Sequence, residues 1–115
     1  MRKVYYLESC STCQKIMKEM DLSDFTKVEI KSMGIQQDQL EEMYKYAGTY
    51  ESLFSRRAMK FRSMGLNTMD LKEEDYKKYI LEEYTFLKRP VFLIDDEIFI
   101  GNSKKVVEAA IKKLS

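Results

Sequence analysis

The sequence contains no histidine and only two cysteines, and these two shortages argue against several classes of site. A structural zinc site needs about four Cys or His ligands, so a zinc site built within this one chain is disfavoured. Two cysteines are also too few for the disulfide framework of a small secreted protein. Without histidine, acid–base chemistry depends on Cys, Tyr, Lys and carboxylates, and fixed positive charge depends on Arg and Lys.

Long apolar runs and an excess of one charge are absent as well. No apolar run approaches the roughly 20 residues of a membrane span, and Arg2 and Lys3 are not followed by the apolar segment of a signal peptide. The formal net charge is +1, which gives no strong field to attract nucleic acid or a membrane surface. We therefore expect a cytoplasmic protein that binds neither membranes nor nucleic acid directly.

The composition that is present suits one globular domain with a buried core. The chain has 115 residues, of which 44% are hydrophobic and 34% charged, and this length can bury a core without disulfides or metals. Hydrophobic periodicity predicts strands at 4–7 and 25–30 around a first helix, then three helices, then a hairpin and a closing helix. The predicted positions of the later elements are 37–47, about 51–64 and a third helix that begins near residue 72, then 90–94 and 98–100 for the hairpin and 104–114 for the closing helix. Asp70 and Glu73 have the spacing of a capping box before the third of these helices.

The stretch Cys10-Ser11-Thr12-Cys13 carries the chemistry that the sequence suggests. It lies between the first predicted strand and helix, so Cys10 is expected at the helix N-terminus, where unpaired N–H groups and the helix dipole stabilise a thiolate. Cys13 would lie one turn later, close enough to form a disulfide with Cys10. Two other interpretations stay open: half of a zinc site, and two buried cysteines that only pack.

The arginines and the only proline form a second group of candidate site residues. A C-x-x-C motif after the first strand of a β-α-β unit is typical of thioredoxin-like redox domains, in which a cis-proline opening the third strand packs beside the active cysteine. Pro90 has that place, so we predict that it is cis and contacts the Cys10 loop. Arg89 would then lie within reach of the thiolate, and Arg56 and Arg57 lie in the helical segment. Arginine binds oxyanions bidentately, although Arg56 and Arg57 are equally compatible with an ordinary solvated face.

Four stretches of the chain resemble the arsenate reductase (ArsC)/Spx family. They are the cysteine loop, residues 53–65 with Leu-x-x-x-Arg and then aromatic-Arg, residues 71–80, and Leu87-Lys88-Arg89-Pro90 with the hairpin as far as Gly101. The resemblance covers nearly the whole chain. It implies an α/β, thioredoxin-like (glutaredoxin-like) fold with a β-α-β/β-β-α core and a helical insert. It also implies a single domain over 1–115, with the core at about 1–32 and 85–115 and the insert at about 35–84.

The resemblance also implies roles for individual side chains. In the glutaredoxin-coupled reductases of this family one cysteine attacks arsenate and arginines hold the oxyanion. Cys10 would then be the nucleophile, with Cys13 as a second catalytic thiol. Arg89 would be catalytic and would bind the oxyanion together with Arg57, and Arg56 is the neighbouring candidate. Family reductases carry a further arginine where this chain has Asn102.

Three functions follow from these expectations. The first is an arsenate-reductase-like thiol oxidoreductase, with Ser11, Thr12 and Pro90 shaping the site around the cysteines. It would act on a small oxyanion or thiol substrate, hold no bound cofactor or metal, and use glutathione with glutaredoxin, or thioredoxin, as external reductant. The second is an Spx-like redox-sensing regulator that binds the RNA polymerase α subunit, with a Cys10–Cys13 disulfide as its switch. The third is an interaction domain without redox chemistry.

Overall fold

The computed structural model describes residues 1–115, which form two compact units. The first unit is formed by Met1–Gly34 and Arg89–Ser115, and the second by Ile35–Lys88. No helix is both long enough and apolar enough to cross a membrane. The single domain expected over 1–115 stays a prediction.

The first unit is built on a four-stranded mixed sheet in the order β2-β1-β3-β4. The strands are β1 (Arg2–Tyr6), β2 (Thr26–Glu29), β3 (Val91–Ile94) and β4 (Glu97–Ile100). β1 is parallel to β2 and antiparallel to β3, which forms a hairpin with β4. Helix α1 (Ser11–Lys18) connects β1 to β2, the four-residue helix α2 (Ile30–Met33) follows β2, and a closing helix, Lys104–Leu114, follows β4. The predicted β-α-β and β-β-α halves are therefore confirmed, although β2 ends one residue before the predicted limit because Ile30 begins α2.

The core of the first unit lies between the sheet and the two long helices. β3 is buried along its whole length, which explains why its four residues read as a continuous apolar run. Burying a Val, Leu, Ile or Phe side chain is worth about 1.5–3 kcal/mol, so this cluster fixes the helices against the sheet. Its buried members are Val4, Ile16, Leu22, Phe25, Phe92, Ile94, Phe99, Val107 and Ala110.

The strand register brings three chain segments to one edge of the sheet. β1 and β2 run parallel and end together, with Tyr6 beside Glu29. β3 runs the opposite way and pairs Val91 with Tyr5, so the residues just before β3 lie at the edge where β1 ends. The loop between β1 and α1, the end of β2 and the start of β3 therefore meet at this edge.

The second unit is helical. Its elements are α3 (Gln37–Ala47), a 3₁₀ turn (Glu51–Leu53), α4 (Met59–Ser63), a 3₁₀ turn (Leu66–Thr68), α5 (Glu73–Glu82) and a 3₁₀ turn (Tyr84–Phe86); the closing helix of the first unit is α6. Gly48 ends α3 with φ of 87°, a left-handed conformation that glycine adopts without steric cost. Phe54 is fully buried, with its ring centroid 5.0 Å from those of Phe86 and Tyr76.

The prediction of one continuous helix over residues 51–64 is wrong in its middle. Phe54 is extended and forms an isolated β-bridge with Leu87, and the Ser55 N–H donates to the Phe86 carbonyl at 2.7 Å. These bonds satisfy backbone groups that a helix would otherwise pair internally. The amphipathic pattern therefore marks a buried face correctly, but a pairing with a distant segment decides the backbone conformation.

The predicted capping box between Asp70 and Glu73 is also wrong. Asp75 accepts the Lys72 N–H at 2.8 Å at the start of α5, while Asp70 instead pairs with the Lys72 ammonium. The Glu73 carboxylate accepts the backbone N–H of Tyr50 at 2.6 Å. Glu73 therefore holds a distant turn of the same unit and does not cap its own helix.

Candidate active site

Cys10 lies at the N-terminus of α1, as the sequence predicts. It is the N-cap residue, with the extended backbone angles φ −87° and ψ 108°. Its carbonyl accepts the first helical hydrogen bond from the Gln14 N–H at 3.1 Å, and its own N–H donates to the Leu7 carbonyl at 3.1 Å. A helix forms after Cys10 because Cys13 and Ile16 bury one face of α1 in the core.

The environment of Cys10 stabilises its thiolate. Partial burial by itself raises the pKa of Cys10, but hydrogen bonds from the backbone and thiol of Cys13 and from the Thr12 N–H lower it, as does the charge of Arg89. The balance leaves the pKa of Cys10 below its ordinary value. A lower pKa means more thiolate at neutral pH, and the thiolate is the nucleophilic form of cysteine.

Cys13 has the opposite character. It is fully buried, and burial, together with the hydrogen bond to Cys10 and the charge of that neighbour, raises the pKa of Cys13 to about 11, although the Leu7 backbone and Arg89 act in the other direction. Both cysteines are free thiols in this structure. Cys13 therefore keeps its proton at neutral pH and donates it in a hydrogen bond to Cys10, so the two thiols differ in acidity and in access.

Arg89 and Pro90 lie at the edge of the sheet where β1 ends, directly before β3. The peptide bond between them is cis, so the predicted isomer is confirmed. Pro90 is buried, and its carbonyl accepts the Gly101 N–H at 2.9 Å, which extends the hairpin by one pair. Arg89 favours the ionised form of both cysteines, so the charge of its guanidinium stabilises a thiolate at Cys10. The contact between Pro90 and the Cys10 loop stays a prediction.

Ser11 and Thr12 are the first two residues of α1, and both are exposed. A groove of about 630 Å³ lies beside Ser11, and its lining includes Ser9 and Ser11, the two neighbours of Cys10. The structure thus brings together Cys10, Ser11, Thr12, Cys13 and Arg89 from the predicted set. No group of three or more His, Cys, Asp or Glu side chains is placed to hold a metal ion.

Arg56 and Arg57, the other predicted oxyanion ligands, belong to the second unit and differ from each other. Arg56 donates to a Glu51 carboxylate oxygen at 2.7 Å and to the Tyr76 hydroxyl at 2.8 Å, and its guanidinium lies 5.5 Å from the Tyr76 ring centroid. The hydrogen bond to Glu51 raises the pKa of Arg56 more than burial lowers it. Arg57 is exposed and takes no part in this network. Arg56 thus has structural partners, whereas Arg57 has the availability that an anion ligand needs.

We expect Arg56→Ala and Arg57→Ala to have different effects. Arg56→Ala should lower the free energy of unfolding by about 1–2 kcal/mol, because the hydrogen bonds to Glu51 and Tyr76 and one cation–π contact are lost. Arg57→Ala should leave that free energy within about 0.5 kcal/mol of the parent. Urea denaturation of both variants measures the difference, and equal losses would contradict these separate roles.

Two polar residues near Cys10 were not predicted from the sequence. Glu29, the last residue of β2, accepts the Glu8 N–H at 2.8 Å, and the Gln14 amide donates to the Glu8 carbonyl at 3.1 Å. The only signal in the sequence is a polar residue at the end of a strand and another four residues after Cys10. Such a pattern is too common in exposed positions to single them out.

The chain is similar to known proteins in both sequence and fold. The model of the ArsC family matches residues 5–110. The global transcriptional regulator Spx 2 of Bacillus anthracis is 28% identical over 102 residues, which are 85% of this chain and 77% of that protein. A solved structure of the YffB protein superposes with a TM-score of 0.78 at 21% identity, covering 96% of this chain and 99% of that one. The arsenate reductase of Vibrio cholerae superposes with a TM-score of 0.74 at 14% identity, covering 93% and 95%. The structural matches show the fold, and the predicted thioredoxin-like fold is confirmed.

Proposed function

The chain belongs to the ArsC family, and from this premise we propose that it is a thiol-dependent oxidoreductase in which Cys10 is the nucleophile. One observation carries the proposal: two neighbouring thiols at a helix N-terminus, beside Arg89, have pKa values displaced in opposite directions. Pairs of titratable groups whose environments separate their pKa values are typical of sites with distinct acid and nucleophile roles. A pair of cysteines that only packs would not need this separation.

The proposed substrate is a small oxyanion such as arsenate. The Cys10 thiolate attacks the central atom, and one oxygen leaves as water after taking up protons, so a sulfur–arsenic bond replaces an oxygen–arsenic bond. Arg89 offsets the negative charge of the adduct, with Arg57 as a second proposed ligand. A second thiol then attacks the Cys10 sulfur, and the sulfur–arsenic bond breaks with its electron pair on arsenic. Arsenic is thereby reduced by two electrons, and two thiols become one disulfide.

The second thiol is either Cys13 or an external thiol. Cys13 is adjacent and holds a proton that must leave before it attacks, whereas glutathione would enter from solvent. In both cases an external reductant, glutathione with glutaredoxin or thioredoxin, supplies two electrons and restores the Cys10 thiol. Such reductants operate in a reducing compartment, which agrees with the cytoplasmic location that we propose.

A second candidate function rests on the similarity to the Bacillus anthracis regulator. In this alternative Cys10 and Cys13 are an oxidant sensor, and formation of their disulfide changes a surface that binds the RNA polymerase α subunit. The same acidity difference would serve this role, since a sensor also needs one reactive thiolate and one partner. Arsenate-dependent oxidation of a thiol donor, measured beside a pull-down with the α subunit, separates the two functions.

The reactivity of Cys10 is the first test of the proposal. We expect the rate of Cys10 alkylation by iodoacetamide to rise with pH. The pH at which the rate reaches half of its maximum, the half-point, should lie clearly below the ordinary cysteine pKa of about 8.5. Mass spectrometry of peptides containing each cysteine measures the rate, and Cys13 in the same sample serves as the internal control. Because Cys13 is buried and its pKa is raised to about 11, it should stay unmodified at neutral pH. A Cys10 half-point at or above the ordinary value would remove the nucleophile.

A further inference from the structure

Both backbone polar groups of Glu8 are held by side chains from outside the loop that joins β1 to α1. The Glu8 N–H donates to Glu29 Oε2 at 2.8 Å, and the Glu8 carbonyl accepts from Gln14 Nε2 at 3.1 Å. The side chain of Glu8 is exposed and makes neither bond. Glu8, which lies just before the cysteine motif, is therefore held through its backbone and not through its own side chain.

Glu29 is itself well anchored. Its other carboxylate oxygen, Oε1, accepts from the Ser32 N–H at 2.7 Å and the Ser32 hydroxyl at 2.9 Å. The bond from Glu8 and then the bond from the Ser32 N–H lower the pKa of Glu29 more than burial raises it. The carboxylate therefore stays ionised at neutral pH and joins the end of β2, the start of α2 and the loop before Cys10.

Gln14 makes the matching connection on the helix side. Its backbone N–H donates to the Cys10 carbonyl at 3.1 Å, and its side chain reaches back to Glu8. Between these two bonds the Cys10 N–H donates to the Leu7 carbonyl. The backbone on both sides of Cys10 is thus restrained by hydrogen bonds within a few residues of its sulfur.

We propose that Gln14 and Glu29 are positioning residues that clamp the Glu8 backbone and thereby hold the Cys10 sulfur in line with the N–H groups of Thr12 and Cys13. Hydrogen bonds weaken steeply when their angle departs from linear, so a small rotation of the loop reduces the support for the thiolate. The inference rests on the proposed function, because it assigns these residues to the reactivity of Cys10.

The direction in which Glu29→Gln shifts the pKa of Cys10 distinguishes a positioning role from an effect of charge. Removing a nearby negative charge favours a thiolate and lowers its pKa. Loss of position does the opposite, because the N–H donors no longer meet the sulfur. Glu29→Gln removes the charge and leaves one acceptor oxygen for three donors, the Glu8 N–H and the N–H and hydroxyl of Ser32. Glu29→Asp keeps the charge but shortens the side chain by one methylene.

The test is the pH dependence of Cys10 alkylation in the full chain. We expect Gln14→Leu, Glu29→Gln and Glu29→Asp each to raise the half-point by about 0.5–1 pH unit. At pH values below the half-points of both parent and variant, the alkylation rate of the variant should be about threefold to tenfold lower than that of the parent, since the thiolate fraction is lower by that factor. Gln37→Leu and Glu74→Gln make the same chemical changes in α3 and α5 and should leave the half-point unchanged.

Three other results would each contradict the clamp, and they differ in what they imply for the proposed function. A lower half-point in Glu29→Gln together with an unchanged one in Glu29→Asp would show that Glu29 acts through its charge, and would overturn the clamp. Unchanged half-points in all three variants, with a depressed parent value, would overturn the clamp and leave the proposed function standing. An ordinary half-point in the parent would overturn the proposed function, and the clamp with it. Circular dichroism of each variant confirms that the comparison is made on folded protein.

Discussion

Cys10→Ser is expected to reduce thiol-dependent turnover to the uncatalysed background, a loss on the order of 10³-fold or more. A serine hydroxyl is not ionised at neutral pH, so the nucleophile is lost. Cys13 cannot replace it, because that thiol is fully buried and its pKa is raised to about 11. Turnover is measured as substrate-dependent consumption of the reduced thiol donor.

Cys13→Ser is the matched control, since it makes the same atomic change three residues away. It should keep the first chemical step, so Cys10 should accumulate as a mixed disulfide with glutathione under mild oxidation. The parent chain under the same conditions should form the Cys10–Cys13 disulfide, with no free thiol and no dimer on a non-reducing gel. Turnover that survives in Cys10→Ser but is lost in Cys13→Ser would contradict the assigned roles.

The features that the sequence predicted well are those decided by near neighbours in the chain. The helix α3 ends at Gly48 because a left-handed residue there needs no side chain. The hairpin turn contains Asp95, with φ of 58°, a conformation that Asp tolerates better than most residues. Cys10 lies at a helix N-terminus because the strand before it and the helical face after it are both visible as apolar periodicity.

The features that the sequence did not predict depend on contacts between distant segments. Phe54 leaves the helical pattern because it pairs with Leu87, and nothing within residues 51–64 indicates that partner. The clamp on the Glu8 backbone has the same cause, since Glu29 lies 21 residues away. Short-range patterns therefore placed Cys10 at the helix N-terminus but did not indicate the side chains that bond to the Glu8 backbone.

The shared chemistry of the two candidate functions explains why the cysteines alone do not decide between them. An oxyanion reductase and an oxidant sensor both need a reactive Cys10, and both can use the neighbouring Cys13 as the second thiol. They differ in what else must be bound, since a reductase has to neutralise a substrate anion and a sensor does not. Arg89 is therefore more informative than the thiols, because it is the positive charge that the structure places at Cys10.

Arg89→Lys is expected to lower oxyanion turnover by about tenfold to a hundredfold while it preserves the charge. A lysine is a point charge and cannot reproduce the planar, two-pronged donor of arginine. One charge-assisted hydrogen bond is worth roughly 1.5–3 kcal/mol, which corresponds to that loss of rate. The half-point of Cys10 alkylation should change little, since the positive charge beside the thiolate remains.

The control and the alternative function make this substitution decisive. Arg62→Lys, the same change at an exposed position of α4, should leave turnover unaltered. Arg89→Ala should lower turnover and also raise the alkylation half-point, because the charge itself is lost. If the parent chain shows no arsenate turnover, and Arg89→Lys retains both α-subunit binding and disulfide formation, the reductase proposal is wrong. The regulator then remains, in which Cys10 and Cys13 sense oxidants and Arg89 serves only to keep Cys10 ionised.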